Sequence, residues 1–240
     1  MRLKDKVCLV TGSSSGIGEA IARAYFKEGA KVVVTYNTRE QRARELACEF
    51  QSMFLRLDVK CRASVYGTMK EIEREYSRVD VLVNNAGINH PANFDWQTDA
   101  EWDEVLDVNL SGVFRCCQAV LGFMPDGGRI INIGSLSGEY GGPRSPAYCV
   151  SKAGVMALTH NVARFVGHRQ ICVNCLSPGV IESPLADKTV TDGIRAIIER
   201  GPLGRLGRMD ELTGAAIFLA SDESSYMTGQ TISINGGVWV

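Results

Sequence analysis

A tyrosine and a lysine four residues apart, Tyr148-Cys-Val-Ser-Lys152, are the pair in this chain best suited to moving a proton. On a helix that spacing puts both side chains on one face. A free phenol has a pKa of about 10, far from ideal near neutrality, and a neighbouring ammonium favours the phenolate and lowers it. Such pairs also arise by chance on solvated helix faces, so this one needs company. Ser135 stands just after the apolar run Ile130-Ile-Asn-Ile133. A serine at the carboxyl end of a parallel strand lies where open α/β sheets bind ligands, and it can donate to an oxygen there. An ordinary loop serine is the alternative. Near the start, Thr11-Gly-Ser-Ser-Ser-Gly-Ile-Gly18 follows one apolar run and opens a helix-period segment. Glycines there let backbone approach a pyrophosphate, and the free amides of a helix N-terminus attract that anion. The spacing is G-x-x-x-G-x-G rather than the commoner G-x-G-x-x-G, and a plain tight turn is the competing reading.

The elements that must position these residues alternate. Strand candidates are Val7–Val10, Lys31–Tyr36, Met53–Leu57, Val79–Val83, Arg129–Gly134, Gln170–Leu176 and Thr231–Ile234. Between them lie helix-period stretches, such as Ile17, Ile21, Ala24 and Tyr25, or Leu106, Leu110, Val113, Cys117 and Val120. Alternating strand and helix predicts an α/β fold, a parallel sheet with helices on both faces. No linker, charge block or repeat interrupts the rhythm, so residues 1–240 read as a single domain. Only Glu182–Arg208, rich in Gly and Pro, breaks it, and that stretch is a candidate lid.

Composition narrows the classes further. Apolar residues make up 45% and charged residues 22%, as in ordinary globular proteins, and the net charge of −1 supplies no bulk field toward nucleic acid or an anionic membrane. The first apolar run is too short for a signal-peptide core and nothing approaches a membrane span, so the expectation is a cytoplasmic protein. Of the eight cysteines, Cys172 and Cys175 have metal or redox spacing. They sit in a strand, where residues three apart face opposite ways, and Cys116 and Cys117 diverge on a helix. The expectation is no metal site, and reduced, mostly buried thiols.

Taken together, the motifs resemble the short-chain dehydrogenase/reductase family, over nearly the whole chain. Thr11–Gly18 is similar to its cofactor loop, Asp58-Val59 to its adenine contact, Asn84-Asn-Ala-Gly87 to its fourth-strand motif, and Ser177-Pro-Gly179 to its turn near the nicotinamide. Asn109, Ser135, Tyr148 and Lys152 match its catalytic four. The resemblance implies a Rossmann-type, doubly wound sheet of seven strands in the order 3-2-1-4-5-6-7, and a homotetramer whose contacts would suit the apolar tail Val238-Trp-Val240. It implies that Tyr148 exchanges a proton with the substrate oxygen and that Ser135 orients that oxygen. Lys152 would hold the nicotinamide ribose and depress the Tyr148 pKa. Asn109 would kink its helix and hold a relaying water, with helix geometry alone as the competing role. Cofactor contacts would come from Gly12, Ser14, Ser15, Gly16, Ile17 and Gly18, from Tyr36, Asn37 and Arg39, from Asp58, Val59, Asn85, Ala86 and Gly87, and from Tyr148, Lys152, Pro178, Gly179 and Ile181.

The substrate is harder to read. The ending Phe218–Gly237 and the stretch Pro202–Gly207 are similar to those of 3-oxoacyl-(acyl-carrier-protein) reductases, and Arg129 and Arg169 stand where those enzymes place carrier-docking arginines. Two departures flank the expected mouth: Gly141-Gly-Pro-Arg-Ser-Pro-Ala147 lacks their Asn/Gln pattern, and Ser183-Pro184 replaces Thr and an acid. Trp96, His90 and Glu139 are further pocket candidates. The expected substrate is a small-molecule or acyl-thioester carbonyl, with a 3-oxoacyl thioester first. A dehydrogenase of small polyols, sugars or hydroxysteroids is the alternative, and a non-catalytic dinucleotide-binding regulator the remote one. On the second strand Tyr36 fills the position where an acid would hold an NAD ribose, and Asn37, Thr38 and Arg39 can meet a 2′-phosphate. NADPH is therefore the expected cofactor, with NAD as the alternative, although Ser15 takes the place of a second basic residue.

Tyr148→Phe keeps the ring and removes the proton donor. Its kcat should fall by ~10²–10⁴, the usual worth of general acid catalysis, with cofactor affinity nearly unchanged. Steady-state kinetics beside a cofactor titration would check this, and retained turnover would remove Tyr148 from the role.

Overall fold

Short β-branched runs that are apolar on both faces must be covered on both sides. The computed structural model, which describes residues 1–183, 186 and 190–239, shows how that is done. Among the described residues seven strands form one parallel sheet: β1 (Val7–Val10), β2 (Lys31–Tyr36), β3 (Phe54–Arg56), β4 (Val81–Asn84), β5 (Arg129–Ile133), β6 (Cys172–Pro178) and β7 (Thr231–Ile234). Their order is β3-β2-β1-β4-β5-β6-β7, as expected. The strand ends differ from the sequence reading by a residue or two; β6 runs on through Pro178, whose carbonyl edge pairs with Ile234.

Alternation along each strand sorts the core. Cys8 and Val10 pack with Ile21, Ala22 and Tyr25 of α1 (Gly16–Lys27) and with Leu46 and Phe50 of α2 (Glu40–Phe50). Val7 and Leu9 point the other way, toward Met69 and Ile72 of α3 (Arg62–Tyr76). On that second face Cys116, Cys117 and Val120 come from a long helical run, and Val155 and Val162 from another. The first run is α4 (Asp99–Leu106), a π-helical turn over Asp107–Ser111, and α5 (Gly112–Val120). After β5 come the short α6 (Leu136–Tyr140) and the 21-residue α7 (Pro146–Val166), opened by a proline at its first position. Six of the eight cysteines are buried; Cys48 and Cys61 are exposed.

The stretch 182–208 is less of a loop than its Gly and Pro content predicts. It contains α8 (Asp192–Arg200), and its two ends are stitched together where Glu182 N–H donates to Gly207 O and Gly207 N–H donates to Val180 O. Residues 184, 185 and 187–189, which the sequence reading placed within a lid, lie outside the described residues, as does Val240. The helix α9 (Asp210–Ala220) then returns to the first face, where Ala216 O accepts from the buried Tyr25 hydroxyl at 2.9 Å. Among the described residues no helix is long and apolar enough to cross a membrane.

At the carboxyl edge of the sheet, side chains take over from the ladder. Thr35 Oγ1 accepts from Gly12 N–H and donates to Val10 O, both at 2.9 Å, while Thr35 N–H donates to Ser13 Oγ at 2.8 Å. Thr35→Val keeps the shape of the residue but strands a buried amide, at a cost of about 1–3 kcal/mol. The variant should show that loss in urea unfolding, together with a raised KM for the cofactor and a preserved kcat.

Candidate active site

The glycine loop between β1 and α1 is shaped by two different demands. Gly16 has φ +58°, where a side chain would be strained, and a Cβ there would meet open space in the cleft. Gly18 faces inward: a Cβ on it would lie 2.3 Å from Asn85 Nδ2 and 2.6 Å from Gly12 O. Gly18 is therefore absent from the cleft wall and serves the close packing of α1 on the loop. Ser15 caps α1 with extended backbone and no side-chain bond to the helix, so the first-turn amides are left to whatever enters the cleft.

That cleft has a volume of ≈ 800 Å³. Gly12, Ser14, Ser15, Gly16 and Ile17 line one end, with Asn37, Thr38 and Arg39 from beyond β2 and Asp58 and Val59 from beyond β3. Asn85, Ala86 and Gly87 follow β4, and Ser135, Tyr148, Lys152, Pro178, Gly179 and Ile181 complete the predicted set on the wall. Residues from the distant ends of the chain thus meet at the carboxyl ends of the strands, where open α/β sheets place their sites. Asn85 reaches the wall but spends its side chain behind it, donating to Thr11 O at 2.9 Å and Gly12 O at 3.2 Å.

Two other predicted residues are not on the wall. Tyr36 shares a strand face with Val32 and Val34, and its ring lies 6.1 Å from that of Phe54, packed against the core instead of the cleft. Asn109 is fully buried in the π-helical turn. Its Oδ1 accepts from Ile88 N–H at 2.8 Å, and its Nδ2 donates to Ile88 O at 2.9 Å and to Ser151 Oγ at 3.2 Å. It holds the strand-4 loop against α7. The looser pocket candidates also fall away: Trp96 is exposed, His90 pairs with Glu104 at 3.0 Å, and Glu139 accepts from Ser177 Oγ and from Ser233 Oγ. Glu139 thereby ties α6 to β6 and β7. Nothing in the sequence pattern marks that link, because it joins a five-residue helix to two strands far along the chain.

The electrostatics at Tyr148 also differ from the sequence reading. Lys152 Nζ donates to Ile133 O at 2.7 Å and stands 5.6 Å from the Tyr148 ring centroid. Burial of the phenol dominates and raises its pKa above the ordinary value, partly offset by a hydrogen bond from Ser135. Burial likewise pushes Lys152 down to about 8. The ammonium that was to activate the tyrosine is itself short of solvation, with one backbone carbonyl as its hydrogen-bond acceptor among the described residues.

A family profile described as Enoyl-(Acyl carrier protein) reductase matches residues 12–239. The 3-oxoacyl-[acyl-carrier-protein] reductase FabG of Thermotoga maritima is 40% identical over 245 positions, covering 99% of each chain. The chain belongs to the short-chain dehydrogenase/reductase family. As a member it is an NAD(P)-dependent oxidoreductase. Among solved structures, a gluconate 5-dehydrogenase from Burkholderia cenocepacia in complex with NADP and tartrate superposes with a TM-score of 0.93 at 36% identity, covering 99% of this chain and 96% of that one. A blue fluorescent protein from a metagenomic library in complex with NADPH gives 0.94 at 31% identity, with both chains fully covered. Against the carrier-docking expectation, both arginines are engaged within this chain. Arg129 is buried and donates to Ser221 O at 3.2 Å, and Arg169 donates to Leu121 O and Asp126, both at 2.9 Å.

The buried Lys152 yields a pH prediction for the cofactor-free protein. Its folded pKa, about 8, lies below the unfolded value of 10.5, so the unfolded chain binds the extra proton between those limits. The wild type should therefore gain stability as pH rises from 8 toward 10.5. Lys152→Met should lack that gain while binding cofactor more weakly. Subtracting the Tm–pH curves of the two proteins cancels other titrating groups; a flat difference would mean the lysine is well solvated.

Proposed function

We infer that this enzyme reduces the ketone of a 3-oxoacyl thioester to a secondary alcohol with NADPH. The observation that carries the reading is the convergence of Tyr148, Ser135 and Lys152 on one cleft that also contains the Gly16 loop. The cleft residues fit a dinucleotide: Gly16 opens onto free space at the α1 N-terminus, as a pyrophosphate needs, and Asn37, Thr38 and Arg39 offer donors for a 2′-phosphate. Lys152 would meet the ribose hydroxyls. When bound, the nicotinamide supplies the hydride.

The chain's own residues do the rest. Ser135 donates to the substrate oxygen and holds it beside Tyr148. The raised phenol pKa keeps Tyr148 protonated at neutral pH, which suits it to give its proton as the carbonyl carbon is reduced. Lys152 keeps a positive charge near the phenolate that results. Support for the thioester comes from the many reductases of that name among the relatives, and for NADPH from the two structural neighbours named above. We read Ala186, Val190 and Ile194 on the cleft wall as part of a substrate cover within 182–208. A cytoplasmic homotetramer is the assembly we expect, built on apolar surface such as Phe114, Val150 and Phe165 on α5 and α7.

Reduction of a 3-oxoacyl thioester, followed as NADPH oxidation and repeated with NADH, tests both halves of the proposal. One charge-assisted contact is worth ~1.5–3 kcal/mol, about tenfold to a hundredfold, so NADPH should lead by at least about tenfold in kcat/KM. Arg39→Ala should erase most of that margin. Equal efficiencies would overturn the reading of the second strand, and an inert thioester beside a turned-over ketone would overturn the substrate.

A further inference from the structure

Arg144 enters the cleft from the segment between α6 and α7, the segment in which this sequence departs from the Asn/Gln pattern of carrier-dependent reductases. Its backbone is fixed without help from the guanidinium. Ser145 N–H donates to Ala92 O at 2.8 Å, and Cys149 Sγ lies 3.5 Å from Arg144 O. Ser145 itself takes φ +61°, a left-handed conformation unusual for a residue with a side chain, at the point where the chain turns into α7. Strain of that kind persists where the surroundings over-determine it, and Arg144, the residue before it, lies on the wall of the cleft that holds Tyr148.

The guanidinium is poorly satisfied. It has five N–H donors in a planar fork. Nη2 makes one contact, to Pro91 O at 3.5 Å, and Nε is shielded from solvent with no partner. Among the described residues no carboxylate lies within ion-pair distance of it. Glu104, an acid on the same wall, is already engaged by His90 at 3.0 Å and by Lys60 at 3.7 Å. Asn89 Oδ1 is also buried and unpartnered, but a neutral acceptor does not balance the charge. A half-desolvated cation facing a substrate cavity calls for an anion, and a guanidinium fork fits a carboxylate in bidentate fashion.

We propose that Arg144 selects substrates carrying a free carboxylate within a few bonds of the reacting carbonyl, either an oxo acid or an oxoacyl thioester whose acyl part bears a second acid group. The inference rests on the reading that Tyr148 and Ser135 meet the reacting oxygen, since that fixes which end of the cleft Arg144 guards. It is separate from the choice of thioester as the leaving-group side of the substrate.

Two matched pairs test it with NADPH: acetoacetate against its ethyl ester, and the N-acetylcysteamine thioester of 3-oxohexanedioic acid against that of 3-oxohexanoic acid. In the wild type the charged member of at least one pair should lead by about tenfold or more in kcat/KM, the scale of a charge-assisted contact. Arg144→Ala and Arg144→Gln should both abolish that lead and leave the neutral members nearly unchanged; the glutamine retains a donor for Pro91 O. Which pair responds tells the free acid from the thioester. Malonate gives the same answer without turnover: with NADPH present it should raise the Tm of the wild type and not of either variant. Equal rates within both pairs, or variants that slow charged and neutral members alike, would overturn the proposal. If the neutral thioester is reduced and neither pair shows a charge preference, the thioester reading stands and this one falls. If only the acetoacetate pair turns over and obeys charge, the reverse holds.

Discussion

Strands β1, β2 and β4 end together at one edge of the sheet, and beyond that edge the ladder no longer supplies partners for backbone amides and carbonyls. Unpaired groups there would cost as much as lost hydrogen bonds. Thr11 and Thr35 answer that constraint. Thr11 Oγ1 accepts from the backbone N–H groups of Asn85 and Ala86, both at 2.9 Å, while Thr35 ties Gly12 to Val10. Because these hydroxyls and the Asn85 amide satisfy the strand ends from behind, the first-turn amides of α1 are spared that work and face the cleft. An α1 N-terminus open to an anion is thus a by-product of how the sheet terminates.

The same edge explains which residues sequence reasoning placed well and which it did not. Fold order followed from alternation, because strands such as Lys31–Tyr36 carry apolar residues on both faces and can only be covered by helices on both. Ser135, Tyr148 and Lys152 were legible because their spacing is local: a strand end, then one turn of one helix. Gly18, Tyr36 and Asn109 stand behind the cleft wall, a placement that motif position alone does not give, because it does not say which way a residue faces. A two-residue period turns Tyr36 to the core, and Gly18 and Asn109 are fixed by partners 67 and 21 residues away, Asn85 and Ile88. Glu139 was misread for the same reason, its partners being Ser177 and Ser233. Arg129 shows the converse error, since a charged residue that could face a partner is instead consumed by the carbonyls that close its own sheet edge.

Burial sets the chemistry of the proton-transfer pair in a way spacing alone does not suggest. An ammonium one helical turn from a phenol lowers the phenol pKa only where its effect outweighs the burial of the phenol itself. Here both groups lose solvent: the tyrosine rises and the lysine falls to about 8. Each shift disfavours the charged form, so the cofactor-free cleft holds its proton on the phenol and holds its lysine charge weakly. A ligand that offers acceptors to Lys152 would stabilise the ammonium and, through it, the phenolate.

Charge is distributed along the cleft with the same logic. Arg39 lies on the cleft wall beyond β2, exposed and without an ion pair among the described residues, where a cation costs little to leave in water. Arg144 lies on the same wall as Tyr148 and Ser135, with one donor already shielded, where a cation without an anion is expensive. The first arrangement tolerates an absent ligand and gives modest selectivity when one arrives. The second penalises the empty state, so an anion that reaches Arg144 relieves an existing deficit as well as adding a contact. On the proposed roles of the two residues, selectivity at Arg144 should be sharper than selectivity at Arg39, although each rests on a single guanidinium.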